Sequence, residues 1–228
     1  MFNVKVNNDG SYRNFLGYTT LAMAKTDISF IENYIKNSQC LSKYYSALPA
    51  SSYHMTTFNV WCHLSPLLEP YKRKLEENNC IKIKDVYSNI NLNYWYDPIN
   101  FMNVLMMQLD IFAKKYDWTN LKTSKVKLYA NEGTISLSLH LNTENMEKIN
   151  SFRNDCARVC EKDDAGLVMH LTLAYSYKNI LQEDIDTLKE ECNKLSIFIN
   201  NLEIDFFAPK AYRFNTMKSY IENKCFNT

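Results

Sequence analysis

Short stretches rich in β-branched and aromatic residues, bounded by polar turns, read as strands: 15–25, 43–48, 51–60, 81–87, 125–130, 134–141, 167–175, 203–207 and 212–216. Between them apolar residues recur at helical spacing. Ile28, Ile31 and Ile35 mark one helix, with Asp27 placed to cap it. Ser65-Pro66 opens a second, with Leu67, Leu68, Tyr71 and Leu75 as its stripe. Asp97-Pro98 opens a third that runs to about Tyr116, with Ile99, Met102, Leu105, Met106, Leu109 and Phe112 on one face. A fourth starts at Thr143 and runs to about Glu161, and a fifth covers 182–195. The stretches 125–130 and 134–141 flank Asn131-Glu132-Gly133 as a hairpin. Residues 1–14 read as a polar leader.

This alternation predicts an α+β fold. No Gly/Ser-rich linker divides the chain, so 1–228 reads as a single bilobal domain. Lobe 1 covers about 15–90, lobe 2 about 120–217, and a helix over about 98–116 connects them.

Two strands share a further pattern. In a strand, successive side chains point to opposite faces, so His54 and Thr56 share a face, and so do His170 and Thr172. The chain has four histidines, and two of them carry this His-x-Thr spacing. A single such tripeptide is most often a structural accident. Here the pair recurs in like surroundings: Tyr18 opens an apolar strand 36 residues before His54 (54 − 18), and Thr134 opens one 36 residues before His170 (170 − 134). Equal spacing of like elements indicates a duplicated unit.

Paired His-x-Thr motifs on matching strands resemble the two-histidine (2H) phosphoesterases, the LigT-like superfamily, over roughly residues 18–217. The run Leu48-Pro49 with Ser51-Ser52-Tyr53-His54-Met55-Thr56 is similar to the first motif of some members. The resemblance implies a pseudo-two-fold LigT-like fold, with two antiparallel sheets flanking a central cleft and helices outside. It implies a metal-independent phosphodiesterase without a cofactor. His54 and His170 would be the acid and base, and Thr56 and Thr172 would hold the phosphate. It also implies 2′-5′ or cyclic phosphodiester bonds of small nucleotides as the target.

The chemistry of the residues fits. Histidine has a reference pKa near 6.5 and works in either form near neutrality. Two imidazoles at one phosphorus can take a proton from an attacking hydroxyl and give one to a leaving oxygen. Threonine hydroxyls can donate to the phosphoryl oxygens. Bases need stacking surfaces, and strand parity puts Phe58 on the His54 face; Tyr212 and Phe214 on the last strand are further candidates. Tyr175 has the wrong parity relative to His170. His63 and His140 read as structural, and Cys156 with Cys160 lacks a completing ligand pair for a metal.

Charge narrows the partner. Lys+Arg 26 against Asp+Glu 25 leaves no bulk field for a long polyanion, so a small nucleotide or short oligonucleotide is the expected substrate. No stretch approaches a membrane span, no secretory signal opens the chain, and no obligate protein partner is evident. Seven cysteines without paired spacing point to a reducing, cytoplasmic compartment. Abundant Asn, Lys and Ile with only four Gly suit an AT-rich genome such as that of a large DNA virus. For a viral protein the host cytoplasm is the setting, and a host antiviral messenger, 2′-5′ oligoadenylate or 2′,3′-cGAMP, the natural target. The alternatives are processing of RNA 2′,3′-cyclic-phosphate ends, or a non-catalytic nucleotide- or RNA-binding module on the same fold.

Overall fold

The computed structural model describes residues 4–77, 98–162 and 168–222, without the side chains of 75–77 and 98–100. The strand expected over 81–87 lies outside the described residues. Two four-stranded antiparallel sheets form the frame. The first runs β3(His54–Cys62), β1(Gly17–Met23), β7(Lys210–Thr216), β8(Ser219–Glu222). The second runs β2(Tyr45–Ala47), β6(His170–Ser176), β5(Thr134–Leu141), β4(Thr123–Ala130). The α+β class is thus as the sequence predicts. The sheets, however, do not follow the 15–90 and 120–217 division strand for strand. β2 pairs with β6, and β7 pairs with β1, so each sheet takes strands from both halves of the chain.

Six helices accompany the sheets among the described residues. They are α1(Ser29–Asn37), α2(Gln39–Tyr44), α3(Glu69–Glu77), α4(Pro98–Ala113), α5(Thr143–Cys160) and α6(Ile185–Ile199). α4 contacts β7, α5 contacts β3, and α6 contacts β4. The α4 stripe behaves as its spacing predicts: Met102, Leu105, Met106 and Leu109 are buried. Phe152, Cys156 and Cys160 bury one face of α5, which makes both cysteines core residues. None of the helices is long and apolar enough to cross a membrane, among the described residues.

Several boundaries differ from the sequence reading, each for a local reason. Asp27 does not occupy the cap position of α1; its carboxylate instead accepts from the Ser29 amide at 2.9 Å, one position early. Residues 39–44 form α2, where Ser38 caps by accepting from Leu41, so the strand expected from 43 begins at Tyr45. The helix expected from Ser65 begins at Glu69. Before it, Trp61 Nε1 donates to the Pro66 carbonyl at 3.1 Å, which holds 61–66 as a turn. α5, by contrast, begins at Thr143 as expected, capped by Asn142. Residues 203–207 make only isolated bridges, Ala24 to Phe206 and Lys122 to Asp205, and so link the two sheets rather than extend either.

The N-terminal stretch is not a loose leader from residue 4 onward. Val6 is buried and bridges to Tyr12. The Tyr12 hydroxyl donates to the Ser46 carbonyl at 2.8 Å, and the Phe15 amide donates to the Asn215 carbonyl at 2.8 Å. The arm is therefore fastened to both sheets. Its apolar residues are too few and too spaced to read as an element, yet two of them, Val6 and Phe15, are buried.

Candidate active site

β3 and β6 lie against each other between the two sheets. Each begins at its histidine, and on β3 a short turn ends just before it. On β3 that turn is a 3-10 segment, Ala50–Ser52, in which the Ser52 amide donates to the Pro49 carbonyl. His54, Thr56, His170 and Thr172 all line one cleft of about 350 Å³. The two His-x-Thr pairs, 116 residues apart (170 − 54), are thus brought together.

Both rings are held the same way. His54 Nδ1 meets the Ser52 carbonyl at 2.7 Å, and His170 Nδ1 meets the Val168 carbonyl at 2.8 Å. A carbonyl only accepts, so Nδ1 carries the hydrogen in each ring. In the neutral form Nε2 is then the lone-pair atom, the same tautomer twice. Neither threonine hydroxyl is taken up by another side chain among the described residues.

Burial sets the charge state of His54. Burial pushes the His54 pKa down to about 4; the Ser52 carbonyl opposes this, and the nearby His170 and Lys5 charges reinforce it. Some of the ring still meets solvent, but packed protein surrounds it. The Tyr220 ring stands edge-on to it, with centroids 4.5 Å apart. His54 is therefore a neutral imidazole at pH 7.

The strands also share an irregularity. In the β1–β3 register Leu21 faces Thr56 and Thr20 faces Phe58, so Thr57 is an extra residue. In the β5–β6 register Ser136 faces Thr172 and Ile135 faces Ala174, so Leu173 is extra. Each bulge falls three residues after its histidine. The buried Thr57 hydroxyl is satisfied by Thr20 Oγ1 at 2.8 Å. The Leu173 carbonyl accepts from the Leu48 amide at 2.8 Å.

A bulge inverts parity beyond it, and this corrects two expectations. Phe58 does not face the cleft; it is fully buried in the core, and Asn59 and Trp61 face the cleft instead. Tyr175, which simple parity set aside, does line the cleft. Tyr212 does not. The β7–β8 hairpin reaches the histidines through Phe214, Met217 and Tyr220, leaving Tyr212 half-buried near Glu222 and Asp110. Of the aromatic candidates, Phe214 alone is in place.

Two cations were not foreseen. Lys5, from the N-terminal arm, and Lys162, just beyond α5, both line the cleft. No aspartate or glutamate lines it among the described residues. Among the described residues, a chain of nearly balanced charge thus lines this cleft with cations and no carboxylate. No group of three or more His, Cys, Asp or Glu side chains that could hold a metal ion comes together among the described residues. His63 packs edge-on against Phe15 outside the cleft, at 5.1 Å between centroids, and His140 is exposed on β5. A larger groove of about 860 Å³ lies beside α6 and contains no histidine.

No family model matches the sequence. The chain is 29% identical, over 95% of its length and 92% of the relative's, to uncharacterized protein 127L of Invertebrate iridescent virus 6. Its fold is similar to that of a conserved protein of unknown function from Agrobacterium tumefaciens, with a TM-score of 0.58, 16% identity, and coverage of 96% of this chain and 89% of that one.

Proposed function

We propose that the protein is a metal-independent phosphodiesterase of the two-histidine type, acting on 2′-5′ or cyclic phosphodiester bonds of small nucleotides. One observation carries this reading. Two His-x-Thr pairs face one cleft that no carboxylate lines among the described residues, with both imidazoles anchored through Nδ1 to the carbonyl two residues before. The matched bulges and matched strand pairs support a pseudo-two-fold, LigT-like relation between the two halves.

In a 2′-5′ linkage the neighbouring 3′ hydroxyl is the nucleophile. His54, held neutral, takes its proton at Nε2. The hydroxyl oxygen bonds to phosphorus, and the bond to the leaving 5′ oxygen breaks. His170, in its protonated form, gives that oxygen a proton. The products are a 2′,3′-cyclic phosphate and a free 5′ hydroxyl. Thr56 and Thr172 donate to the non-bridging oxygens, where charge builds up. The cationic wall replaces part of the water that a phosphodiester anion loses on entry. Aromatic Trp61, Tyr18 and Phe214 offer faces for the bases. A role against a host antiviral messenger, in the host cytoplasm, extends this reading, and the viral relative is consistent with it.

The test is a turnover panel in the presence of EDTA: 2′-5′ oligoadenylate, 2′,3′-cGAMP, a 3′,3′-linked dinucleotide and RNA ending in a 2′,3′-cyclic phosphate. Cleavage of a 2′-5′ or cyclic bond that disappears in His54→Ala and in His170→Ala is the expected result. Retained cleavage in either folded variant, or a rate that EDTA abolishes, overturns the assignment. Binding of these ligands without turnover by the wild type favours the nucleotide-binding module instead.

A further inference from the structure

The two lysines of the cleft repeat the pairing of the histidines. Tyr175 stands five residues after His170 (175 − 170), and its hydroxyl accepts from Lys5 Nζ at 3.1 Å. Asn59 stands five residues after His54 (59 − 54), and its carbonyl accepts from Lys162 Nζ at 2.6 Å. Each cation is thus tied to the same position on one of the two catalytic strands, just past the bulge.

Both are positioned by structure rather than left to wander. The ammonium of Lys5 lies 5.3 Å from the Phe15 ring centroid and 4.8 Å from that of Tyr175. Its arm is fastened to both sheets through Tyr12 and Phe15. Lys162 is held by two neutral acceptors, the Asn59 and Val60 carbonyls, the second at 3.3 Å. The chain turns towards them at Glu161, which is left-handed with φ 46°. The Glu161 carboxylate is engaged by Arg73 of α3, on one side at 2.6 Å.

We propose that Lys5 and Lys162 form two anion subsites flanking the reacting phosphorus, so that the preferred substrate carries at least one further phosphate beside the bond to be cleaved. This rests on the phosphodiesterase reading for the position of that bond. The chemical class is a short phosphorylated oligonucleotide or a cyclic dinucleotide, rather than a nucleoside cyclic monophosphate. Trp61 and Tyr18, with centroids 6.5 Å apart, stand at the Asn59 end, where a base next to such a phosphate can lie.

The experiment measures binding, so that it stands apart from turnover. Three probes are titrated calorimetrically against the full chain carrying His170→Ala: 2′-5′-linked adenylyl-adenosine, the same with one terminal phosphate, and the same with a phosphate at each end. Each added phosphate is expected to tighten binding roughly tenfold. Lys162→Met removes the gain from one terminal phosphate and Lys5→Met the gain from the other; methionine keeps the apolar stem. Lys125→Met, on exposed β4, keeps both gains. Equal affinity for all three probes, or gains that survive both substitutions, overturns the proposal. Turnover of all three probes by the wild type without phosphate preference overturns it too, while leaving the phosphodiesterase reading intact. A phosphate preference in binding with no turnover by the wild type upholds the subsites and removes the catalytic reading.

Discussion

The strands that carry the two histidines match in geometry and differ in wetness. Both present His-x-Thr, both anchor Nδ1 two residues back, and both bulge three residues on. The residue that supplies the anchor is where they part. Ser52 is 1% exposed and Val168 is 68% exposed. His54 leans on Tyr220 inside packed protein, whereas His170 follows a solvent-washed approach. A dry imidazole stays neutral and can accept a proton. On the proposed phosphodiesterase reading, the shared scaffold specifies the reacting atoms, and the surroundings divide their roles.

The largest effect that tests this division is loss of either ring. His54→Ala and His170→Ala should each lower turnover of a 2′-5′ dinucleotide by about 1,000-fold, and the double variant should be scarcely worse, because the pair acts as a unit. Steady-state kinetics on folded variants measures it. Additive losses would mean that the two rings serve separate steps.

Parity past the bulge comes next in size. Phe58→Ala should cost about 4 kcal/mol of stability in a denaturant titration, as a core aromatic does. Trp61→Ala should cost clearly less stability than Phe58→Ala, losing its bond to the Pro66 carbonyl, and should weaken substrate binding. A reversal of the two outcomes would put Phe58 back in the cleft.

The threonines come third. Thr56→Val and Thr172→Val should each reduce kcat about 100-fold with KM little changed, because the donors act most strongly on the transition state. A pure KM effect in one of them would show that its half of the cleft binds but does not catalyse.

The smallest effect is on stability against pH. The folded pKa of His54 lies near 4, below its unfolded value near 6.5. The unfolded state therefore binds the extra proton between these values. Stability is fully present above about pH 6.5 and falls as pH drops towards 4, by at most about 3 kcal/mol. His54→Gln should flatten that slope in chemical denaturation at pH 7 and pH 4.5. Activity should share the acid limb.

These contrasts also mark how far the sequence could be read. The His-x-Thr pairs were legible because period-two alternation holds over the first three residues of each strand. It fails at the fourth, since a bulge depends on the partner strand, as in the Thr57 hydroxyl meeting Thr20. Phe58 and Tyr175 were misassigned for that one reason. The α4 stripe was legible because burial follows helical spacing directly. Lys5 and Lys162 gave no signal, because a lysine in a polar stretch looks the same whether it faces water or a cleft. β8, a four-residue strand of mixed character, is defined by its pairing with β7 and has no pattern of its own.

The exchange of strands between the sheets has a consequence for dissection. A chain severed between α4 and β4 would give one piece with β1, β2 and β3 and another with β4 to β8. The first would own half of one sheet and a lone edge of the other, and the second the complementary remainder. Neither fragment could close a hydrophobic interior by itself. Mixed together they should reassemble, which makes the natural midpoint of this polypeptide a place for a conditional, two-part protein.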